Sequence, residues 1–523
     1  MDDAQVCTIA AGHTLPITRR CRSRRAALVP VAYGRAEPDE LVRPCSRSES
    51  VRAIVLDGSR ACEISACRCA LCGRGPDAGH TPARFGRDTG ETRGGLVVLN
   101  AHPAHLMLEA VFQIFNEQRV RWCLLRGENE PACPDGDVDL LIARNDLPRA
   151  RAILDAQQFM ALPTLGRGSH AFFIGYDPPS ETWIKLDVAT ELDYGSFADM
   201  QTHAAAGCLA RRHHAGLFSV LSPDDAFWTL LLHCALDKGS FPARRAARLQ
   251  QLAEGARADS PLARLATLAC PDDCDAARLI ECARRGEWET LTELSPALAA
   301  RWRRRQPIRA HWRRITNRRL RKLETLLAWR RRPRVSVALL GTDGAGKSTL
   351  AAAIQRSFYF PVHRVYMGLW QARQPRETTV LQRPGLRILG AALKLAGRMP
   401  LSWRGYLIGR CHEALGRVVI FDRYVYDALV TSQHTTGRLR RWYLWLLGHS
   451  CPAPDLVLVL DAPGEMMFAR KAEHTPEILE MRRQELLAVS KHIPHVQIVD
   501  ATRAESVVRA DVLGRIWAVC CGR

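Results

Sequence analysis

The stretch Val335-Ser-Val-Ala-Leu-Leu-Gly-Thr-Asp-Gly-Ala-Gly-Lys-Ser-Thr349 decides the fold of the second half of this chain. An apolar run at 335–340 leads into a glycine-rich loop, and a helix-like stretch follows at 350–355. The pattern G-x-x-x-x-G-K-[ST] between a strand and a helix predicts a loop that binds phosphate. The alternative is a glycine-rich turn that carries a surface lysine.

The residue types of this loop suit a nucleoside triphosphate. Glycines let backbone N–H groups close on phosphate oxygens, and the start of the following helix adds its positive end. We expect Lys347 to reach the β- and γ-phosphates of ATP and Ser348 to hold Mg²⁺. The predicted nucleotide-binding residues are Gly341, Asp343, Gly344, Gly346, Lys347, Ser348 and Thr349.

Length and charge set the broad class of the protein. A chain of 523 residues predicts two or three domains, and 47% hydrophobic residues suffice for ordinary cores. No apolar run approaches the length of a membrane span, and the amino terminus shows no signal pattern, so a cytoplasmic enzyme with reduced cysteines is expected. The net charge of +20 favours acidic partners such as nucleotides, nucleic acid or anionic lipid.

Residues 1–95 are predicted to be a disordered extension, because they are rich in Arg, Gly, Pro, Ser and Cys and have few apolar periods. Four clustered cysteines offer zinc binding as an alternative, at Cys62, Cys67, Cys69 and Cys72. Their spacing lacks a second matched pair or a histidine at the usual distance. A wrongly assigned start codon is a third possibility.

Ordered structure is expected from residue 96, as an α+β domain over 96–220 with a helical extension over 221–300. Apolar residues at helical spacing predict helices at 105–115 and 147–158. Short apolar runs predict strands at 120–125, 138–142, 171–176 and 183–188.

A basic segment over 301–334 is predicted to be a linker helix between the domains. Clusters of arginine alternate there with Trp302, Trp312 and Trp329. This pattern fits nucleic acid, or an anionic membrane surface with the indole rings at the interface. The alternative is a solvated helix that packs its Trp and Leu side chains on a neighbouring domain.

From residue 335 to 523 the pattern alternates strand and helix, which predicts a parallel five-stranded sheet with crossover helices. The predicted strands are 335–340, 364–367, 418–421, 456–460 and 496–499. Asp422 and Asp461 each end a buried strand and compete for the role of the Mg²⁺-binding acid. We choose Asp422, because Arg423 follows it and could hold an acceptor phosphate. Asp461 is expected to be a turn or helix-cap residue.

Three motifs of this region together resemble thymidylate kinase, over about residues 333–520. They are the loop at 341–349, Phe421-Asp-Arg-Tyr424, and Pro454-Asp-Leu-Val-Leu-Val-Leu-Asp461. The resemblance implies a P-loop NTPase fold and an ATP- and Mg²⁺-dependent kinase. It also implies that Asp343 lies near the acceptor sugar and Arg423 near the acceptor phosphate.

The same resemblance implies a mobile lid, with Arg470, Lys471, Arg482 and Arg483 where the family has its lid cations. Lid arginines neutralise the transferring phosphoryl group, so Arg470 is a candidate catalytic residue; the alternative is a solvated helical face. The acceptor-binding Arg-Glu-Pro-Gly segment of the family is not evident, and 367–373 stand in its place. Phosphoryl transfer is therefore expected, with thymidylate a poor acceptor or none.

Acidic residues also alternate on a predicted strand of the first domain, at Asp137 and Asp139. Residues two apart on a strand share a face, and two such carboxylates are costly unless a metal bridges them. Asp187 could supply a third ligand from a neighbouring strand, and two Mg²⁺ there would support attack on a triphosphate. The alternative is that the acids meet Arg144, Arg149 or solvent.

This arrangement resembles the nucleotidyltransferase fold over about residues 105–240. In that superfamily a Gly-Ser or Gly-Gly element precedes the Asp-x-Asp pair, and here Gly127 stands ten residues before Asp137. Glu128 occupies the place of the usual Ser or Gly, and an acid there would repel a triphosphate.

The function predicted from the sequence is an ATP- and Mg²⁺-dependent phosphotransferase fused to a nucleotidyltransferase-like domain. Its acceptor would be a nucleotide, a nucleoside or a sugar. The alternatives are a regulatory or scaffolding nucleotide-binding protein with little turnover, and a nucleic-acid-binding NTPase that uses the high positive charge.

Overall fold

The structure is a computed structural model, and it describes residues 53–57, 60–64, 106–126, 136–271, 274–368, 397–433 and 437–522. The chain divides into two compact units, residues 1–95 and 96–523. In the first unit, strands β1 (Ala53–Asp57) and β2 (Arg60–Ile64) pair antiparallel. The rest of the predicted disordered extension lies outside the described residues. Cys67, Cys69 and Cys72 lie outside them as well, and the structure does not describe the side chain of Cys62 in β2.

The second unit begins with a mixed seven-stranded sheet. Its strands are β3 (Trp122–Leu124), β4 (Val138–Ile142), β5 (Met160–Ala161), β6 (His170–Asp177), β7 (Thr182–Ala189), β10 (His213–Ala215) and β11 (Phe218–Val220), in the spatial order β10-β11-β3-β4-β7-β6-β5. Strands β8 (Asp193–Tyr194) and β9 (Met200–Gln201) form a separate antiparallel pair. The central pair, β4 and β7, runs parallel, so that Asp139 lies opposite Asp187. Helices Leu106–Glu117 and Leu147–Ala156 belong to the same region and bury Phe112, Phe115 and other apolar side chains.

A helical region follows the sheet. Its first helix starts at a Ser222 cap, whose hydroxyl accepts a hydrogen bond from the Asp225 amide, and continues into a π-helical turn, His233–Lys238. The apolar faces of these helices share one core, which includes the fully buried Trp228 and Leu249. The helices of this region are Pro223–Leu232, Ala243–Ala253, Pro261–Thr267, Ala276–Arg285 and Trp288–Arg305. Helix Ala205–Arg211, which precedes β10, packs into the same core.

The basic segment forms the end of Trp288–Arg305 and then a separate helix, Pro307–Leu327. Trp302 is buried in the helical core. Asn317 donates a hydrogen bond to the Phe197 carbonyl (2.7 Å), so one face of the second helix packs on the first domain. Among the helices that the structure describes, none has a stretch both long enough and apolar enough to span a bilayer.

The remaining strands form a five-stranded, all-parallel sheet, as the alternating pattern predicts. The strands are β12 (Ser336–Leu340), β13 (Val362–Tyr366), β14 (Val418–Asp422), β15 (Leu456–Asp461) and β16 (Val496–Asp500), in the spatial order β13-β14-β12-β15-β16. Because every strand runs the same way, the loops that follow them gather along one edge. The helices are Lys347–Ser357, Arg398–Ala414, Asp427–Gln433, Arg438–Gly448, Gly464–Arg470, Pro476–Ser490 and Glu505–Cys521.

The mixed sheet and the parallel-sheet region pack directly against each other. The Trp183 indole donates a hydrogen bond to the Ser357 carbonyl (2.8 Å), and the Trp517 indole donates one to the Gln158 carbonyl (2.8 Å). The Trp183 and Trp517 rings meet edge to face, with centroids 5.0 Å apart. Arg509 and Glu181 add an ion pair of 2.5 Å. The two regions therefore share an apolar and hydrogen-bonded interface.

Candidate functional site

The glycine-rich loop leaves β12 and turns into helix Lys347–Ser357 at the carboxyl edge of the parallel sheet. Gly344 and Gly346 have φ angles of +88° and +89°, a region that side chains with a Cβ disfavour. A Cβ on Gly344 would lie 2.4 Å from the Met467 carbonyl oxygen. The loop conformation therefore depends on glycine at both positions.

Lys347 lies beneath this loop with 6% of its surface exposed, and its Nζ donates a hydrogen bond to the Thr342 carbonyl (2.7 Å). Burial, together with the nearby positive charge of Arg423, lowers the pKa of Lys347 from 10.5 to about 8. The site thus holds a cation that gains from the approach of an anion.

Asp422 ends β14, and its register places it opposite Leu339, next to the start of the loop. One carboxylate oxygen, Oδ2, accepts hydrogen bonds from Ser348 Oγ (3.1 Å) and from Arg364. The other, Oδ1, is buried and has no hydrogen-bond partner in the described part of the chain. The structure thus brings together Ser348 and Asp422, the two predicted Mg²⁺ ligands of this half.

The competing strand-end acid, Asp461, has a different position. Both of its oxygens accept hydrogen bonds from Arg483, at 2.5 and 2.9 Å. The sequence predicts that Asp461 is a turn or helix-cap residue at a strand end. It is the last residue of β15, but the following helix is capped at Pro463 without a side-chain hydrogen bond, so Asp461 caps no helix. Asp461 instead forms an ion pair with Arg483 of helix Pro476–Ser490.

Arg423 lies at the centre of a charged cluster beside the loop. Its φ angle of +69° turns the chain sharply after β14, and its guanidinium bonds to Asp343 and, at 3.4 Å, to Asp427. Burial raises the pKa of Asp427. Burial also opposes ionisation of Asp343, but Arg423 and Lys347 outweigh it and lower the pKa of that carboxyl.

Two cavities meet at this cluster and share Asp343, Tyr366 and Arg423 in their walls. The first, of about 580 Å³, lies over the loop and is lined by Lys347 and Asp422. The second, of about 860 Å³, lies on the other side of the shared wall. Its further lining residues include Gly341, Thr342, Asp427, Thr431, His474, Arg482 and Glu485.

The predicted lid cations are divided between different surroundings. Arg470 and Lys471 line the loop cavity, and Arg470 donates a hydrogen bond to the Ala501 carbonyl (2.9 Å). Arg482 lines the second cavity and contacts His474. Arg483 is occupied by Asp461 and lines neither cavity. Three of the four cations are therefore placed to meet a ligand.

The three carboxylates of the mixed sheet lie on one face, as predicted, but each has a basic partner. Lys185 Nζ lies 2.5 Å from Asp137, and Arg126 Nε lies 2.7 Å from Asp139. His170 Nδ1 lies 2.6 Å from Asp187. Among the described residues, no group of three or more His, Cys, Asp and Glu could hold a metal ion. In the described residues these carboxylates are therefore balanced by their basic partners, and a cation bound by Asp137, Asp139 and Asp187 stays a prediction without support from this arrangement.

The partners of these carboxylates are not the ones that the sequence suggested. Arg149 donates to the Gln118 carbonyl (3.1 Å) instead of meeting either acid. Burial lowers the pKa of His170, but the hydrogen bond and the negative charge of Asp187 together outweigh burial and leave that pKa raised. Gly127 and Glu128, which bear on the nucleotidyltransferase resemblance, lie outside the described residues, as do 369–373.

Two residues of the loop site were not predicted from the sequence. Arg364 contacts Asp422 from the neighbouring strand β13, a pairing that only the strand order reveals. Asp427 is the first residue of helix Asp427–Gln433 and contacts Arg423, which lies before that helix with a φ angle of +69°. Because Arg423 is not helical, the pair does not follow from helical spacing along the sequence.

Comparisons with known proteins assign no family to this chain. No family model matches its sequence, and no curated protein matches it. Among solved structures, the chain is similar to thymidylate kinase from Candida albicans. The identity is 16%, the TM-score is 0.24, and the match covers 35% of this chain and 90% of that chain. At this TM-score the similarity carries no argument about activity or acceptor.

Proposed function

We propose that residues 335–523 form an ATP- and Mg²⁺-dependent phosphotransferase of the nucleotide-kinase kind, with a P-loop. One observation carries the proposal: two cavities meet at Asp343 and Arg423, and one of them contains the glycine-rich loop. A donor triphosphate in the first cavity and an acceptor in the second would meet at this shared wall. Such positioning is most of what phosphoryl transfer requires of a protein.

The loop residues fit a triphosphate and its metal ion. Ser348 Oγ and the partnerless Oδ1 of Asp422 are oxygen ligands of the kind that Mg²⁺ prefers. Mg²⁺, when bound, would neutralise charge on the β- and γ-phosphates. Lys347 and the amides of the loop would hold the phosphates.

Cations of this chain would act on the transferring group and on the acceptor. Arg470 lies at the edge of the loop cavity, where it would stabilise negative charge on the transferring group. Arg423 would orient the acceptor, and Asp343 and Asp427 hold that guanidinium in place.

The test is phosphoryl transfer by the full chain. We would incubate it with γ-labelled ATP, Mg²⁺ and a panel of nucleoside monophosphates, nucleosides and sugars, and identify the labelled product. Lys347→Ala and Asp422→Asn should each lower turnover by at least about 100-fold, because each removes a group that contacts the transferring phosphates or their metal.

Asp461→Asn is the matched control, since Asp461 ends β15, on the other side of β12 from β14, but lines neither cavity. It should keep most of the wild-type rate. Undiminished turnover in Lys347→Ala would disprove the kinase proposal. ATP binding without transfer to any acceptor would favour the regulatory or scaffolding alternative.

We make a weaker proposal for the amino-terminal half, that its three carboxylates bind a divalent cation. Such a cation must displace Lys185, Arg126 and His170 from the carboxylates. Calorimetric titration of Mn²⁺ into the Asp422→Asn chain tests this half by itself. Adding Asp139→Asn should then abolish the remaining binding, and no binding at all would leave these acids with a structural role.

A further inference from the structure

Helix Pro307–Leu327 presents two different faces. One face is fixed to the first domain by Asn317, which bonds to Phe197, and by Arg321, whose Nε donates to the Gly166 carbonyl (2.9 Å). Arg313 lies 3.6 Å from the buried Asp193 and reinforces this attachment. Since these residues follow one another at helical spacing, the opposite face is held outward.

The outward face carries an apolar stripe. Ile308, Trp312 and Leu326 expose 72%, 64% and 71% of their surfaces, and Leu323 beside them exposes 44%. At 1.5 Å per residue, the stripe from Ile308 to Leu326 is about 27 Å long. Large apolar side chains so exposed and so aligned usually mark an interaction surface.

Cations flank the stripe, and one lies on it. Arg309, Arg318, Arg319 and Lys322 are exposed, and within the described part of the chain no ion pair or hydrogen bond engages their side chains. At 3.6 residues per turn, Arg319 points within about 20° of Ile308 and Leu326, so it divides the stripe into two apolar ends. The helix has a single acidic residue, Glu324, which is half-buried. The outward face is therefore amphipathic and positively charged.

We propose that this face binds the surface of an anionic lipid bilayer, with the helix lying in the interface plane. Ile308, Leu326 and the Trp312 ring would enter the boundary between headgroups and acyl chains, where apolar side chains and indoles are favoured. The flanking cations would meet lipid phosphates. Nucleic acid fits less well, because a phosphate backbone offers exposed Ile and Leu side chains no apolar contact.

The experiment is co-sedimentation of the full chain with vesicles of phosphatidylcholine alone or mixed with phosphatidylglycerol. We expect binding to the mixed vesicles only. Ile308→Ser with Leu326→Ser should weaken it at least about tenfold, because two apolar side chains no longer enter the bilayer. Leu268→Ser with Leu439→Ser is the matched control, since these leucines expose 57% and 79% elsewhere in the chain, and it should bind as the wild type does.

Two further measurements separate this proposal from its rivals. Brominated lipid should quench tryptophan fluorescence, and most of that quenching should be lost in Trp312→Phe. Arg318→Gln with Arg319→Gln and Lys322→Gln should abolish the preference for anionic vesicles. The proposal is overturned if the Ile308/Leu326 variant binds vesicles normally. It is equally overturned if the face binds only DNA or RNA, or if the variant only converts a dimer into a monomer.

Discussion

At the scale of single residues, the ionisation of Lys347 should make both the stability of the chain and nucleotide binding depend on pH. Its ionised form is disfavoured by burial, so the folded chain gains stability as the pH rises from about 8 towards 10.5. A bound triphosphate reverses this preference, because phosphate charge stabilises the ammonium form and raises the pKa of Lys347.

Nucleotide binding near pH 8 should therefore take up about half a proton, falling to roughly a tenth at pH 7, where Lys347 is already protonated. Calorimetry of ATP binding in two buffers with different ionisation enthalpies measures this number. In Lys347→Met the pH-dependent part should vanish. Equal uptake by that variant and the wild type would assign the proton to another group.

Individual residues of this site could be predicted from the sequence only where a motif specifies consecutive positions along the chain. Residues 341–349 form such a motif, and those named as ligands line one or other cavity. Arg364 could not be found this way, since its contact with Asp422 depends on β13 lying beside β14. The basic partners of Asp139 and Asp187 likewise depend on tertiary packing.

At the scale of elements, the turn from β12 into helix Lys347–Ser357 depends on its glycines. Gly344→Ala should force the loop open, because the new methyl group would approach the Met467 carbonyl oxygen and the φ angle of +88° disfavours alanine. We expect at least about a tenfold loss of ATP affinity, measured by calorimetry.

Gly255→Ala is the control for this change, since a Cβ on Gly255 would have its nearest neighbour atom at 3.7 Å, an ordinary contact, and Gly255 lies in another region. It should leave ATP affinity unchanged. Normal affinity in Gly344→Ala would mean that the loop adopts another conformation around its ligand.

Elements were predictable in proportion to their length and apolar content. The five parallel strands were placed within two residues of their observed bounds. The inner strands β14, β12 and β15 are continuous apolar runs because they are buried, whereas the edge strands β13 and β16 are only partly buried. Strands β10 and β11 were missed, since each has three residues and β10 contains His213 and His214. The π-helical turn His233–Lys238 follows a helix without any break in the pattern, so only its hydrogen bonding distinguishes it.

At the scale of the whole molecule, Trp183 ties the two sheet regions together. Trp183→Ala should lower the free energy of unfolding by about 3 kcal/mol, because it removes an indole packed against Trp517 and a hydrogen bond to Ser357. Urea unfolding followed by circular dichroism measures the change.

Trp442→Ala, at a tryptophan that exposes 58% of its surface, should cost no more than about 0.5 kcal/mol. If the Trp183 variant unfolds as the wild type does, the interface contributes nothing to stability. The sequence alone predicts two folded units joined by a linker. It does not predict their interface, because no pattern along the chain indicates which surfaces of the folded units will pack together.

The interface also has a consequence for synthesis on the ribosome. Trp517 covers the first domain at Gln158, which precedes it by 359 positions. The mixed sheet is complete at Val220, the end of β11, and its covering helix ends at Cys521. At roughly 5–20 residues per second, the sheet therefore precedes that helix by on the order of 15–60 s. During that interval Ile174 and Tyr176 of β6 lack their later partners, and the nascent chain offers an apolar surface to chaperones.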